Sequence, residues 1–242
     1  MAHSVRNIDV FILCGGQGRR LRQVSRGVPK PMVSLCGQPF LDLIISSMAR
    51  YGFCRFVLGL GYKAGAFKKY YSRNRNSNLK IKFSQEDTPL DTGGAIMHAR
   101  RLIRSNPFFV LNGDSLSEFD PRELLKFHRL KKSLVTILLN KVPGACDYGR
   151  VKLNKYSQIT SFNEKSAATK GNFINSGIYI FDKKVFKFMP GKGKFSLEYE
   201  LFPLLAVKKS IFGYKNKGFF VDIGTPERYA KAKKDLRSLC SQ

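Results

Sequence analysis

Apolar and polar residues along this chain follow two rhythms, and the change comes near residue 140. Short apolar runs of strand length recur at Asp9–Cys14, Arg55–Leu60, Lys80–Ser84, Phe108–Leu111 and Leu134–Asn140. Between them, Phe40–Tyr51 carries apolar residues at 40, 41, 43, 44, 45 and 48, the spacing of one helix face. Further helices are expected at Ala64–Tyr71, at Thr92–Ile103 with Asp91 or Thr92 as cap, and at Pro121–Leu130 with proline near its first turn. Strand and helix in alternation predict a mostly parallel sheet with helices on both faces. After Asn140 the strands Tyr148–Leu153, Ile159–Phe162 and Phe173–Phe181 are separated only by turns, which reads as antiparallel. A helix at Leu197–Leu205, strands at Ser210–Tyr214 and Phe219–Val221, and a helix from Pro226 to about Leu239 complete the chain. The fold class expected is α/β: three layers, with a mixed, mostly parallel central sheet.

Ligands of open α/β sheets bind beyond the carboxyl ends of the strands. Three stretches fall at such ends and should converge on one cleft: Gly15–Arg20, Gln85–Gly94 and Asn112–Asp114. In the first, Val10–Cys14 stops at Gly15-Gly16-Gln17-Gly18-Arg19-Arg20. Glycines let the backbone turn its N–H groups onto an anion, and arginines add forked, charged donors. The expected guest is a polyphosphate. No Gly-Lys-Ser/Thr string follows, and Leu21 stands where a dinucleotide fingerprint needs its third glycine, so both common phosphate loops are excluded.

Composition sharpens this reading. At 242 residues the chain can build a substantial core. Only 17 acidic residues face 43 lysines and arginines, a net charge of +26. Such a surface attracts polyanions without choosing among them, and it makes any carboxylate in a special context conspicuous. The five scattered cysteines contain no C-x-x-C pair, so neither a disulfide framework nor a zinc site is expected, and a reducing compartment is. No stretch approaches 18 uninterrupted apolar residues, and no secretory leader is visible at the N-terminus.

Ordered blocks carry more than composition does. They are Leu-Cys-Gly-Gly-Gln-Gly-Arg-Arg-Leu, Pro-Lys-Pro-Met, Pro-Leu-Asp-Thr-Gly-Gly-Ala, Leu-Asn-Gly-Asp, Tyr-Gly-Arg-Val, Phe-Asn-Glu-Lys, Asn-Ser-Gly-Ile-Tyr-Ile-Phe and Phe-Val-Asp-Ile-Gly-Thr-Pro-Glu. In this order and spacing, from about Val10 to Tyr229, the chain resembles the sugar-1-phosphate nucleotidyltransferases. Phe195-Ser196-Leu197-Glu198 and the last block make it most like the bacterial D-glycero-D-manno-heptose 1-phosphate guanylyltransferases.

The resemblance implies a Rossmann-like nucleotidyltransferase domain over residues 1–242. Its nucleotide-binding half runs to about 140 and its sugar-phosphate-binding half from about 141, without the C-terminal β-helix of several relatives. It implies that Leu13, Gly15, Gly16, Gly18, Arg19, Gln85, Asp91, Gly94 and Asn112 bind the nucleotide, and that Arg20 and Lys30 are catalytic. Gly149, Glu164, Lys165 and Asn175 are implied on the sugar-phosphate side, and Asp114 and Asp222 as ligands of Mg²⁺. The implied substrates are GTP and a sugar 1-phosphate, handled in the cytoplasm by a monomer or homodimer with no specific nucleic acid and no membrane partner. A phosphate monoester is largely dianionic near neutral pH, so the reaction needs no general base. His98 and His128 are accordingly read as structural.

One position departs from the family. Arg19 stands where relatives usually have threonine, exchanging a hydroxyl for a cation. Plainer readings exist residue by residue. Lys30 could be a solvated lysine, Asp114 a turn residue, Asp222 a helix cap and Glu164–Lys165 a surface ion pair. Two alternatives for the whole chain stand beside the guanylyltransferase. One is transfer of another nucleotide, uridylyl above all, on the same fold. The other is a basic polyanion-binding protein without turnover, which would have no need of acidic residues in the cleft.

Overall fold

The computed structural model describes residues 5–73, 78–142, 149–163 and 173–240, the side chains of 163 and 237–240 excepted. In chain order its elements begin with β1 (Asp9–Leu13), α1 (Arg22–Ser25), the hairpin β2 (Ser34–Leu35) and β3 (Gln38–Pro39), α2 (Phe40–Ala49), β4 (Arg55–Leu60) and α3 (Ala64–Arg73). They continue with β5 (Lys80–Gln85), α4 (Asp91–His98), β6 (Phe108–Asn112), β7 (Ser115–Ser117), α5 (Pro121–Lys131) and β8 (Val135–Asn140). The second half holds β9 (Arg150–Leu153), β10 (Ile159–Asn163), β11 (Phe173–Phe181), α6 (Phe202–Val207), β12 (Ile211–Lys215), β13 (Phe220–Asp222) and α7 (Pro226–Cys240).

Among the described residues nine strands form the central sheet, with β1 flanked in parallel by β4 and β6, and β5 beyond β4. Following the pairings outward, β1, β4, β5, β6, β8, β9 and β12 point one way, and β10 and β11 oppose them. The sheet is therefore mixed and mostly parallel. Strand alternation sorts side chains to two apolar layers. Val10, Ile12, Phe109 and Leu111 face α2, α3, α5 and α7, while Phe11, Phe108 and Val110 face α4 and α6.

β11 organises the second half. One of its edges pairs with β8, and the other pairs with β6 over residues 178–181 and with β9 at 173–174. Between those segments the register slips, and Gly177 takes a φ of +71°, which a side chain would resist. The irregularity lies just past the carboxyl end of β6, beside the cleft.

Several expectations need correction. The helix expected over Thr92–Ile103 stops at His98 and tightens into a 3₁₀ turn over Ala99–Arg101. Thr92 does not cap it, while the Asp91 side chain accepts from the Thr92 N–H at 2.7 Å. The Gly93 and Gly94 N–H groups donate to the Phe195 carbonyl at 3.0 and 3.2 Å, so a segment a hundred residues away satisfies that helix end. The helix expected from Leu197 begins as a π turn over Leu197–Leu201 before α6. The strand ending at Asp222 is not in the central sheet but pairs antiparallel with β7. Cys14 and Cys54 are free, and Cys36 is disulfide-bonded. Cys36 Sγ packs 3.7 Å from the Leu236 carbonyl on α7, a juxtaposition that spacing cannot reveal. Among the described residues no helix is long and apolar enough to cross a membrane.

Candidate active site

The carboxyl ends of β1, β4, β5 and β6 open onto one cleft of about 740 Å³. Leu13–Arg20 forms one wall, and Glu86–Thr92 another. Lys30, Pro31, Asn112, Gly113 and Asp114 form the floor, with Lys194 and Gly224 reaching in from the second half.

The glycine loop has room only because it lacks side chains. A Cβ on Gly15 would collide with Glu86 Oε1, whereas one on Gly16 would meet nothing within 4 Å. Gly18 has a φ of +57° and turns the chain into the 3₁₀ turn Arg19–Leu21, which the buried Leu21 anchors. Both arginines line the cleft, and Arg19 Nε donates to Gln17 Oε1 at 2.9 Å.

Lys30 is held by its prolines. Pro31 is buried, and Met32 N–H and Val33 N–H close the turn on the Pro29 and Lys30 carbonyls at 2.8 and 3.2 Å. The side chain, 12% exposed, reaches the carboxylate at the end of β6: Lys30 Nζ lies 2.5 Å from Asp114 Oδ2. Burial by itself would raise the Asp114 carboxyl. The Lys30 ammonium, the Ser115 hydroxyl and Arg20 outweigh it and hold the group below its ordinary value. Asp114 is thus an anion throughout the neutral range.

Asp222 arrives on the same spot from 108 positions away in sequence. It pairs with Ser115 across the β7–β13 ladder, and Ile223 N–H donates to the Asp114 carbonyl at 3.0 Å. Its Oδ1 accepts from Gly224 N–H at 2.8 Å and lies 3.3 Å from Arg228 Nη1. Asp222 is buried beneath the cleft wall rather than lining it. Among the described residues no group of three or more His, Cys, Asp or Glu side chains could hold a metal. The β7–β13 ladder brings the Asp114 and Asp222 backbones together, and a pair of carboxylates is a donor set that suits Mg²⁺, which keeps most of its shell as water and phosphate oxygens.

The nucleotide wall differs in detail from expectation. Asp91 lines the cleft at a φ of +62°, and its Oδ1 accepts from Thr92 N–H at 2.7 Å. Gln85 does not line it. It shares a face of β5 with Ile81 and Phe83, which pack on the α3 side, and its Oε1 accepts from Lys68 Nζ at 2.6 Å. Gly94 also lies outside the lining, where a Cβ would strike the Gly193 carbonyl at 2.5 Å. The carboxylate that sequence reasoning missed is Glu86. Its Oε2 accepts from Leu90 N–H at 2.6 Å, and burial pushes its carboxyl up, against the Leu90 N–H and His98. Period-two alternation was the available signal: if Gln85 follows Ile81 and Phe83, the next residue turns toward the cleft.

Thr92 fastens this wall to the second half. Its hydroxyl donates to Glu198 Oε2 at 2.7 Å and accepts from Leu197 N–H at 2.9 Å. Asn112 lines the cleft with its Oδ1 buried and without a hydrogen-bond partner among the described residues. Asn175 lies outside the lining and donates to the Tyr179 hydroxyl at 2.9 Å, while the Gly149 carbonyl accepts from Asn175 N–H at 3.1 Å. Glu164 and Lys165 lie outside the described residues. His128 is buried, as the structural reading expects, with Nδ1 2.9 Å from Thr136 Oγ1.

Residues 9–238 match the family described as "Nucleotidyl transferase". The chain is 33% identical over 235 residues to the mannose-1-phosphate guanylyltransferase of Mycobacterium tuberculosis, covering 96% of this chain and 66% of that one. It is 34% identical over 230 residues to the D-glycero-alpha-D-manno-heptose 1-phosphate guanylyltransferase of Aneurinibacillus thermoaerophilus, covering 95% and 99%. Among solved structures, HddC from Yersinia pseudotuberculosis complexed with GMP-PN superposes with a TM-score of 0.82 at 35% identity, covering 95% and 99%.

Proposed function

We propose that this chain, which belongs to the nucleotidyl transferase family, transfers GMP from GTP to D-glycero-D-manno-heptose 1-phosphate and releases pyrophosphate. The observation that carries the reading is the Lys30–Asp114 pair on the floor of a cleft whose wall is a glycine–arginine loop. The choice of acceptor follows the resemblance to the D-glycero-alpha-D-manno-heptose 1-phosphate guanylyltransferases, at 34 and 33% identity. The chain spans 97 to 99% of the heptose-phosphate enzymes it matches, and 61 to 66% of the mannose-phosphate ones.

In this reading the backbone at Gly15, Gly16 and Gly18 and the Arg19 and Arg20 side chains receive the triphosphate. The main obstacle is repulsion between a dianionic acceptor and a polyanionic donor. Lys30 offsets it at the α-phosphate, where charge changes most over the barrier, and holds the groups in line. Lys165 would meet the acceptor phosphate, with Gly149, Glu164 and Asn175 about the sugar. Asp114 and Asp222 would hold Mg²⁺. When bound, the ion neutralises and orients phosphate oxygens.

Asp91 and Glu86 both line the cleft, on the wall that this reading assigns to the base. A carboxylate can accept from guanine N1–H and the 2-amino group together, a donor pair that uracil's edge lacks. Gln85 and Gly94 would then act behind this wall, as supports.

A second reading keeps the chemistry and changes the acceptor to mannose 1-phosphate, favoured by identities of 33 to 35% to such enzymes. Pyrophosphate release measured for four triphosphates against heptose, mannose and glucose 1-phosphates decides between them. We expect GTP with the heptose 1-phosphate to give the highest kcat/KM. Substituting Asp91→Ala or Glu86→Gln should lower the GTP-to-UTP preference by roughly tenfold or more, since a site that pairs a substrate N–H discriminates strongly. No turnover with any pair removes the assignment. An unchanged preference in both variants removes the base contact alone.

A further inference from the structure

Each of the two proposed metal-site carboxylates already carries a cation from the chain. Lys30 Nζ is 2.5 Å from Asp114 Oδ2, and Arg228 Nη1 is 3.3 Å from Asp222 Oδ1. The Arg228 side chain is 20% exposed and that of Asp222 is 7% exposed, so the second contact is largely shielded from water.

Arg228 is also out of place by helix electrostatics. It stands in the first turn of α7, where the helix end is positive and favours anions. Asp222 offsets that. The loop between them fits closely: a Cβ on Gly224 would fall 2.6 Å from Asp222 Oδ1 and 3.2 Å from Arg228 Nη1. Gly224 itself lines the cleft, so the ion pair lies directly behind the cleft surface.

We infer that Arg228 is a positioning residue for the divalent ion: it holds Asp222 beside Asp114 before the ion binds and competes with the ion for the carboxylate, as Lys30 does at Asp114. The inference rests on the metal reading above. Asp114 and Asp222 would exchange their resident cations for the ion, leaving Lys30 and Arg228 to turn toward phosphate oxygens. The catalytic lysine thus stays neutralised until the metal site fills. Electrostatically, the cation held at each carboxylate offsets its charge before the ion binds.

The test is direct binding of Mn²⁺ to the full chain without nucleotide, followed by the electron paramagnetic resonance signal of the free ion. Arg228→Met removes the competing charge and keeps much of the side-chain bulk. It should bind Mn²⁺ roughly three- to tenfold more tightly, the range of a partly buried charge-assisted contact. Arg228→Lys should restore affinity near that of the wild type. Asp222→Asn should weaken binding and abolish the gain from Arg228→Met when the two are combined. Unchanged or weaker binding in Arg228→Met, with Asp222→Asn still weakening it, overturns the competition and leaves the metal site standing. Indifference of Mn²⁺ binding to Asp222→Asn and Asp114→Asn overturns both. Should Arg228→Met not fold, Arg228→Gln takes its place with the same expectation.

Discussion

Histidine 128 separates structure from chemistry at the level of a single side chain. Burial pushes its imidazole down to about 4 from an ordinary 6.5, Asp182 opposing and Arg129 assisting. Above pH 6.5 the ring is neutral whether the chain is folded or not. Below it, the unfolded chain takes up a proton that the folded chain refuses until about pH 4. The His128 contribution to stability should therefore fall through this window by about 3 kcal/mol at most, the equivalent of roughly 2.5 pH units. Asp114 and Asp120, held below the ordinary 3.8, lose their contributions only at lower pH, outside the window. In urea titrations at pH 7, 5.5 and 4.5, His128→Asn should flatten the decline by about that amount. Parallel declines in the two proteins would show that the imidazole is not its source.

Where elements meet, glycine decides what fits. Gly113 N–H donates to the Leu13 carbonyl at 2.9 Å. A Cβ there would sit 2.6 Å from that oxygen, 3.1 Å from Cys14 Sγ and 3.2 Å from Pro31 Cγ. The ends of β1 and β6 and the Lys30 loop converge only because nothing projects from that position. Gly113→Ala should destabilise the fold by about 1–3 kcal/mol, as overpacking does, and lower kcat by displacing Asp114 from Lys30. Gly16→Ala is the contrast, since its Cβ would meet nothing within 4 Å. Its stability should stay within about 0.5 kcal/mol of wild type, while GTP binding weakens because the added methyl stands between backbone and phosphate. Equal urea midpoints for the two variants would contradict this account.

The charge of +26 belongs to the molecule as a whole. Of the 43 lysines and arginines, Arg19, Arg20, Lys30 and Lys194 line the cleft, so most of the surplus lies elsewhere. We expect sequence-blind binding to a labelled single-stranded oligonucleotide. If it neutralises six or more phosphates, the affinity should fall by about a thousandfold between 50 and 200 mM salt. Fluorescence anisotropy over that range measures it. Binding that persists undiminished at 200 mM salt would point to a dedicated polyanion partner.

Local order was legible in the chain itself. The alternation of strand and helix, the glycine turn at Gly15–Gly18 and the proline-stiffened Lys30 follow from backbone preferences and side-chain periodicity, which act over a few residues. The same holds for the acidic end of β6 at Asp114. Contacts across the fold were not legible. Asp222 was expected beside Asp114 on a common sheet edge and reaches it through the β7–β13 ladder instead. At the start of α4 the Asp91 side chain takes the Thr92 N–H, but the distant Phe195 carbonyl takes those of Gly93 and Gly94. Gln85 turns to α3 and Glu86 to the cleft, because an edge strand's facing is set by the helix packed on it. Arg228 meets Asp222 only once a helix begins immediately after β13. Pairings like these depend on which distant segments pack together, and folding settles that through burial of the whole core rather than through any stretch of sequence alone.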